Sequence, residues 1–542
     1  MIDVPIEEQN RVKILRSKLK SLQARRMPWE QNWQNIVNYV APDRGDFSSI
    51  TRKGRITTRL VYDGTAPWAN EQFASGLISF LTSPTERWFS LETLDPNDMK
   101  SRRMRQHLED TTNVLYDGVF NAPRSDFNSQ NHELFMDLGA FGTSPMLIED
   151  PPGDVLKYRT FSLNNCWIAE NDRGRVDTLY RRFNMTGRHL INNYKEKLSP
   201  QFIKNIEKDP YKEFEIFHFT EPNDRFLQES PLAINKPWSS IFVLFEQEEN
   251  RILEESGFDE FPYVVPRWKR SPEEWYGRSP AMNALPDIMM INEVMKTTIK
   301  AAQLQVAPPL QVPDEGFLGP LRFSQWGVNF YRAGSQDRIE KLPVEARADI
   351  GLDFIQNRIE QILRTFFVDL TRMTPSKVEK TRAEVLIQQE DKMRNISPMT
   401  GRLQLEYLTP LIQRTYNIQL RRGNIESPPT GLDVPIRIKY ISPVQRAQKS
   451  SQINNVTRWM ETFIPLLDIK PETGDRFNTD EYVKWSHDLL DAPEKILFSD
   501  EEVQQIRESR NKQQQLAQIN DQANLASQTG VNAAKAQNLL NQ

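Results

Sequence analysis

The sequence has little cysteine and no long apolar run. Cys166 is its one cysteine among 542 residues, so a disulfide within the chain is excluded and a reducing compartment is expected. The best membrane candidate, "FASGLISFL", is much shorter than the ~20 residues that cross a bilayer. The start, "MIDVPIEEQN", lacks the basic and apolar segments of an export signal. We therefore expect a protein made in the cytosol that does not span a membrane.

Catalytic and metal-binding patterns are missing as well. There is no GxxxxGK[ST], GxSxG, HExxH, CxxC or GxGxxG pattern, and the five histidines are scattered without ligand spacing. We therefore predict that the chain is not an enzyme and needs neither a cofactor nor a metal. The formal net charge of −4 argues against a strong nucleic-acid binder, because such affinity comes largely from neutralised phosphates.

The periodicities that are present predict an α+β fold in which helices predominate. The N-terminal segment predicts a basic amphipathic helix, followed by a second helix that Pro28 opens. A basic helix can contact DNA or a membrane, but a charged face over an apolar stripe is the more common meaning. The stripe of this helix includes Ile14, Leu15, Leu19 and Leu22.

Between residues 156 and 270, short strand-like runs alternate with turns, which predicts an antiparallel sheet. The "NDRG" segment between "CWIAE" and "VDTLYRRF" is a hairpin signal, because Asn, Asp and Gly favour tight turns. One helix, "GRHLINNYKEKL", is predicted to interrupt this series.

Two long helices with narrow apolar stripes are predicted next, over 286–306 and 345–372. The segment 308–334 between them is rich in proline, glycine and aromatic residues, so an antiparallel hairpin with an irregular tip is expected. Narrow stripes suit helices that pack on copies of themselves in other subunits. The stripes are Ile288, Ile291, Met295, Ile299, Ala302 and Val306 in the first helix, and Leu352, Ile355, Ile359, Ile362, Phe366 and Leu370 in the second.

The C-terminal part is predicted to be mainly helical. A helix at about 382–422 contains Pro398 and Pro410 and is therefore expected to be kinked or broken. A strand and further helices follow. The Gln-, Asn- and Ala-rich end is predicted to begin as a helix with Val503 and Ile506 inward, and its last ~20 residues are expected to be mobile.

Three stretches carry a resemblance to a known family. They are "YDGTAPWANEQFASGLISFLTSPTERWFSLE" (62–92), "YGRSPAMNALPDIMMINEV" (276–294) and "MTPSKVEKTRAEVLIQQEDKMRNISPMTGRLQLEYLTPLIQRT" (373–415). Their order and spacing over about residues 10–450 resemble the portal, or head-to-tail connecting, proteins of short-tailed (podovirus) double-stranded DNA bacteriophages. The family form resembling "MTATEV" reads "MTPSKVEKTRAEV" in this chain, with a proline and extra charged residues.

The resemblance implies a dodecameric ring at one capsid vertex. Such a ring nucleates capsid assembly, passes double-stranded DNA without sequence specificity and later joins the tail. Implied partners are the terminase large subunit, the major capsid and scaffolding proteins, and the tail adaptor and internal core proteins. The implied location is the virion, and the host cytoplasm during assembly.

The same resemblance implies a portal-type division of the chain into wing, stem, clip and crown. The α+β wing would be 1–285, the stem helices 286–306 and 345–372, the small α/β clip 307–344, the channel loop and kinked wing helix with its return strand 373–442, and the helical crown 443–542.

Candidate site residues follow from that division. The channel is predicted to be a low-friction wall, because tight binding of phosphates would stall sliding DNA. The candidates for the DNA channel are Arg358, Arg364, Arg372, Lys377, Lys380 and Arg382. Aromatic side chains supply large contact areas for partners, and the candidates in the clip are Phe317, Phe323, Trp326, Phe330 and Tyr331.

Two alternatives remain open on the sequence. A scaffold or adaptor protein of the virion that oligomerises without surrounding DNA would also use narrow apolar stripes and an aromatic tip. A phage-encoded enzyme such as a nuclease is the other alternative.

Overall fold

The chain folds as two compact units, Met1–Trp88 with Leu115–Asn424 and Phe89–Val114 with Ile425–Gln542. Both helices and antiparallel sheets are present, in agreement with the predicted α+β class. The division into wing, stem, clip and crown stays a prediction. The computed structural model describes residues 6–47, 57–95, 97–228, 230, 232–246, 250–306, 310–311, 340–341, 349–368, 399–429, 436–441, 452–453, 455–465, 477–490, 496–498 and 501–519.

The elements are numbered in chain order. The helices are α1 (Ile6–Tyr39), α2 (Thr65–Leu81), α3 (Arg102–Leu115), α4 (Phe127–Phe141), α5 (Gly187–Tyr194), α6 (Pro200–Lys208), α7 (Pro280–Val306), α8 (Asp349–Thr365), α9 (Thr409–Arg421) and α10 (Thr479–Leu490). The strands are β1 (Phe89–Thr93), β2 (Met146–Glu149), β3 (Lys157–Thr160), β4 (Cys166–Glu170), β5 (Val176–Thr186), β6 (Glu213–Pro222), β7 (Trp238–Phe245), β8 (Asn250–Phe258), β9 (Tyr263–Val264), β10 (Leu310–Gln311), β11 (Glu340–Lys341) and β12 (Ile436–Tyr440).

The first unit is built around a five-stranded antiparallel sheet with the order β4-β5-β6-β7-β8. The predicted "NDRG" hairpin is confirmed, because it joins β4 to the antiparallel β5. In this turn the Asn171 amide donates to the Arg175 carbonyl oxygen at 2.9 Å, and Gly174 has a φ of +70°. Only glycine adopts that left-handed conformation at little cost, which explains the glycine at this position.

Helix α1 is continuous through Pro28, so the prediction of a second helix opened by this proline is wrong. Buried side chains on both sides of the proline hold the helix in one line. Arg26 donates to the Cys166 carbonyl oxygen at 2.8 Å, and the fully buried Trp33 packs edge-on against Tyr276. These tertiary contacts outweigh the loss of one backbone hydrogen bond at the proline.

The apolar stripe of α1 covers one face of the five-stranded sheet. Val12, Leu15 and Leu19 are buried there, whereas Ile14 is 56% exposed. The prediction was therefore right for Leu15 and Leu19 and wrong for Ile14. The opposite sheet face is partly covered by α5 and α6, which enclose a second cluster of apolar residues.

A buried ionic cluster connects several segments of the first unit. The Arg267 guanidinium pairs with Glu170 at the end of β4 and donates to Glu406 at 2.8 Å. Glu406 lies in a π-helical turn, Gln404–Leu408, directly before α9 and Pro410. The predicted irregularity near Pro410 is therefore this π turn, whereas Pro398 lies outside the described residues.

The second unit contains α3, α10, helical residues 455–465 and 501–519, and the antiparallel pair β1–β12. The predicted return strand is β12. Ile506 is 39% exposed and Val503 is half-buried, so the prediction that Ile506 faces inward is wrong. The predicted mobile end lies outside the described residues.

Two general properties concern the described part of the chain. No helix in it has both the length and the apolar character required to cross a bilayer. The same residues contain no cluster of three or more His, Cys, Asp or Glu side chains suited to a metal ion.

Candidate functional site

The two long helices predicted on either side of 308–334 are α7 and α8. Helix α7 begins at Pro280, so the prediction of a start at Pro286 is wrong and that proline lies inside the helix. The earlier start is stabilised by Ser279, whose Oγ accepts the Met282 amide at 3.0 Å and donates to the Ala140 carbonyl oxygen at 2.7 Å. A side chain that accepts an unpaired amide of the first turn is an N-cap.

The first half of α7 is buried within the first unit, where Ile288 and Ile291 pack in the core as predicted. Asn292 fixes the helix to the chain before α2. Its Oδ1 accepts the Tyr62 amide at 2.7 Å, and its Nδ2 donates to the Leu60 carbonyl oxygen at 2.8 Å. A fully used buried amide of this kind fixes both the position and the rotation of the helix.

The second half of α7 is largely exposed although its apolar stripe continues. Ile299 is 41% exposed, Ala302 is exposed and Met295 is half-buried. Lys296 pairs with Glu293 at 2.9 Å, and this carboxylate raises the pKa of the lysine. The stripe is thus divided into a buried half and a half that the folded chain leaves largely uncovered.

Helix α8 buries the central part of its predicted stripe. Ile355, Ile362 and Phe366 are buried and Ile359 is half-buried. The helix ends at Thr365, so the prediction of one unbroken helix is wrong at the turn formed by Phe366 and Phe367, and residues 369–372 lie outside the described part. The side chain of Leu352 and the whole of Leu370 lie outside the described part.

The two helices run antiparallel, as the sequence predicts. Strand β10 directly follows α7, and β11 lies before α8; the two strands pair antiparallel. At the other end of the hairpin, Arg358 Nη1 of α8 donates to Asp287 Oδ1 of α7 at 2.8 Å. The pairing of β10 with β11 and the Arg358–Asp287 contact therefore define an antiparallel helix pair within the first unit.

The structure places two of the six predicted DNA-channel residues, both on α8. Arg358 is engaged with Asp287, which reduces its availability to a phosphate. Arg364 is 63% exposed and lies 3.6 Å from Glu360, one helical turn earlier. Exposed pairs at this spacing are weak, so Arg364 can exchange its partner at little cost. Arg372, Lys377, Lys380 and Arg382 lie outside the described residues.

The five predicted clip aromatics, Phe317, Phe323, Trp326, Phe330 and Tyr331, also lie outside the described residues. The described part near them is the β10–β11 pair, in which Leu310 is opposite Lys341. The structure therefore leaves the assignment of these aromatics as a prediction.

Sequence reasoning missed two backbone features at the ends of these helices. Gly142 and Gly277 are in direct contact, and a Cβ atom at Gly277 would lie 2.2 Å from the Gly142 carbonyl oxygen. Phe367 has a φ of +57° and packs against Trp268. A glycine in "YGRSP" is a visible signal for a close approach, but its contact partner is far away in sequence.

Comparisons with known proteins give a consistent result. A family model described as "Bacteriophage head to tail connecting protein" matches residues 12–497. The chain is 29% identical over 515 residues to the portal protein of Salmonella phage epsilon15, covering 93% of this chain and 92% of that protein. It is 27% identical over 537 residues to the probable portal protein of Bordetella phage BPP-1, covering 97% and 96%.

Proposed function

Because this chain belongs to the bacteriophage head-to-tail connecting (portal) protein family, we propose that it forms a ring whose centre conducts double-stranded DNA. In this function the ring is a structural part of the virion at the junction of head and tail. DNA enters through it during packaging and leaves through it during ejection.

Self-assembly is supported by the exposed half of α7. This helix is held firmly by its buried first half, and its second half presents Ile299 and neighbouring apolar surface outside the core. Apolar side chains on a well-anchored helix gain about 25 cal/mol for each Å² removed from water. A second copy of the same helix pair is the occupant that the repeated narrow stripe fits. This uncovered stripe is the structural observation that carries the proposal.

Twelve copies and a single capsid vertex are proposed from the family resemblance. In that arrangement 286–306 and 345–372 form the stem, 307–344 the clip and 443–542 the crown. The clip would meet the terminase large subunit during packaging and the tail adaptor afterwards. The major capsid, scaffolding and internal core proteins complete the proposed partners, and assembly takes place in the host cytoplasm.

The charge of the helices suits a conduit that does not grip DNA. In α8, Arg358 is paired with Asp287, and Arg364 lies next to Glu360. Every phosphate neutralised by a free cation would release counterions and increase affinity, which would slow sliding. A repeated ring of matched charges presents a weak average field to the DNA.

The test is negative-stain electron microscopy of the purified chain, followed by reconstruction with symmetry. We expect closed rings with an open centre of at least ~20 Å, the width that duplex DNA requires. Oligomers without an opening would instead support the scaffold or adaptor function. A monomer at every concentration, together with virions that lack the chain, would exclude both.

A further inference from the structure

A small pocket in the first unit contains an unusual buried cation. The pocket has a volume of about 290 Å³ and lies between the five-stranded sheet, β2 and α9. Arg181 of β5 lines it. In the sheet register Arg181 is opposite Cys166 on one side and His218 on the other, so the three side chains share a face. The adjacent residue Tyr180 belongs to the opposite face, which α1 covers.

The Arg181 guanidinium is buried without a counter-charge. The residue is 9% exposed, and its Nε has no hydrogen-bond acceptor. Among the residues that the structure describes, no carboxylate lies within 4.0 Å of it. Its contacts are the rings of Phe161 and Phe183, whose centroids lie 4.0 and 4.7 Å from Cζ. Such cation–π contacts offset only part of the cost of burying an unpaired charge.

The neighbouring histidine, His218, does not compensate the positive charge of Arg181. His218 Nδ1 is 3.0 Å from the Tyr263 hydroxyl, and Nε2 is 2.9 Å from Ser240 Oγ. Burial, with a smaller contribution from Arg181, holds the pKa of His218 well below its usual range. The imidazole is therefore neutral and adds no second positive charge beside the arginine.

The other charges of the pocket wall have partners of their own. This leaves Arg181 as the unmatched cation of the wall within the described part of the chain. The pairs are Lys236 with Asp259 at 3.0 Å, Arg421 with Glu260 at 2.8 Å, Arg414 with Glu260 at 3.5 Å, Arg159 with Glu149 at 3.9 Å, and Arg422 with Asp150.

We propose that this pocket binds a carboxylate group through Arg181. A guanidinium presents parallel donors that match the two oxygens of a carboxylate. Arg414 also lines the pocket and adds positive charge to its wall, while its Nη atoms donate to the Glu260 and Ile148 carbonyl oxygens. A phosphate dianion fits less well, because Glu149, Asp150 and Asp259 in the same wall would repel a second negative charge.

The carboxylate has two sources with the same chemistry. It is either a small organic acid from solution or an Asp, Glu or terminal carboxylate of a neighbouring copy of the chain. In the second case, the carboxylate of a neighbouring copy occupies the pocket when the chains assemble. In a dissociated chain the pocket is then accessible to small carboxylates from solution.

The experiment measures the thermal unfolding temperature, Tm, of the full chain in sodium acetate and in sodium chloride of equal ionic strength. We compare the wild type with Arg181→Met and with the control Arg182→Met, whose side chain is half-buried and lies 3.7 Å from Glu215. Ligands that bind only the folded state raise Tm. Acetate should raise the wild-type Tm by about 2 °C or more over chloride, should do the same for Arg182→Met, and should not do so for Arg181→Met.

The difference between the variants removes general salt effects, which act on all three proteins alike. In chloride alone, Arg181→Met should unfold at the wild-type temperature or above, because an apolar side chain replaces an uncompensated charge. If Arg181→Met does not fold, Arg181→Lys serves instead and should reduce the acetate response, since an ammonium lacks the paired donors.

The source follows from repeating the measurement on isolated rings and dissociated chains. A response of dissociated chains alone assigns the carboxylate to a neighbouring copy, and a response of both assigns it to solution. An equal response of wild type and Arg181→Met, or no acetate response in either state, would overturn the proposal.

Discussion

At the scale of single residues, Asp137 of α4 is expected to make the first unit sensitive to pH. It is 1% exposed, neither carboxylate oxygen has a hydrogen-bond partner in the described part, and Arg44 Nε lies 3.3 Å away. Burial raises the pKa of Asp137 to about 7. A raised folded-state pKa means that the group's stabilising contribution is complete below pH ~4 and is lost as the pH rises through about 7.

The variant Asp137→Asn remains neutral at every pH. Its free energy of unfolding should therefore fall less than that of the wild type between pH 5 and 8, with a difference of at most about 3 kcal/mol at the upper end. Urea unfolding across this range measures the slope. The exposed carboxylate of Glu71 provides the control Glu71→Gln, which should keep the wild-type slope. Equal slopes for Asp137→Asn and the wild type would refute the assignment.

A second residue-scale prediction concerns Arg267, which is fully buried between Glu170 and Glu406. Removal of the guanidinium leaves Glu170 with Arg270 and Glu406 with the more distant Arg402, so Arg267→Met should destabilise the protein by about 3 kcal/mol. Urea unfolding measures the loss. The exposed pair Arg159–Glu149 gives the control Arg159→Met, which should change the stability by less than about 1 kcal/mol.

Two features could not be predicted from the sequence: the burial of Arg267 between two carboxylates, and the left-handed backbone conformation of Phe367. Arg267 lies in a strand-like run, and nothing local identifies Glu406 as its partner. The contact of Gly142 with Gly277 is equally non-local. By contrast, the turn at Gly174 was predictable. A tight hairpin turn needs a residue with positive φ within a few positions of the strands that it joins, and the glycine in "NDRG" meets this need. Local backbone demands are visible in a sequence, whereas long-range partners are not.

At the scale of elements, α1 shows how tertiary contacts override a local rule. Proline inside a helix costs about 3 kcal/mol relative to alanine, so Pro28→Ala should increase the stability and raise Tm by several degrees. Differential scanning calorimetry measures this gain. Pro42 is the matched control, since it occupies the first turn of a short helix where proline is favourable, and Pro42→Ala should bring no gain. A loss of stability in Pro28→Ala would show that the fold requires a distorted helix at this point.

The helix pair shows which part of an element the sequence can predict. The predicted stripes are buried at Ile288 and Ile291 of α7 and in the central part of α8, because a 3.6-residue period survives in their apolar residues, whereas Ile299 of the α7 stripe is exposed. Their ends were predicted less well. The N-cap Ser279 places the start of α7 before Pro286, where the sequence predicted it. The left-handed Phe367 interrupts α8 before residue 372, the predicted end of that helix. For the candidate site, the sequence predicted the antiparallel helix pair. Of the six predicted DNA-channel residues, only Arg358 and Arg364 lie within the described part, and both are on α8.

At the scale of the whole molecule, the exposed half of α7 predicts an assembly defect. Ile299→Glu introduces a charge into the stripe that we assign to contacts between copies, so the ring fraction should fall at a given concentration. The Tm of the dissociated chain should stay close to that of the wild type, because Ile299 is 41% exposed there. Light scattering coupled to size-exclusion chromatography measures both species.

The control for this variant is Met27→Glu on α1, which alters a side chain that is 72% exposed. It should assemble like the wild type if the effect belongs to the α7 stripe. Rings of Ile299→Glu that form at the wild-type concentration would remove the structural support for self-assembly through α7.

The last prediction concerns the passage of DNA through the proposed ring. Lys377 and Lys380 lie in the segment that the family resemblance assigns to the channel, outside the described residues. Twelve copies would repeat each charge around the DNA, so a small change per chain becomes a large change in the local field. The double variant Lys377→Ala and Lys380→Ala should assemble normally and alter the amount of DNA packaged or retained, with a weaker dependence on salt. Packaging of DNA into particles, assayed by nuclease protection at several salt concentrations, measures the effect.

The pair Lys204→Ala and Lys208→Ala on the exposed side of α6 is the charge-matched control and should package like the wild type. If both double variants handle DNA like the wild type, the two lysines do not act on the DNA, and the exposed Arg364 on α8 becomes the next residue to replace.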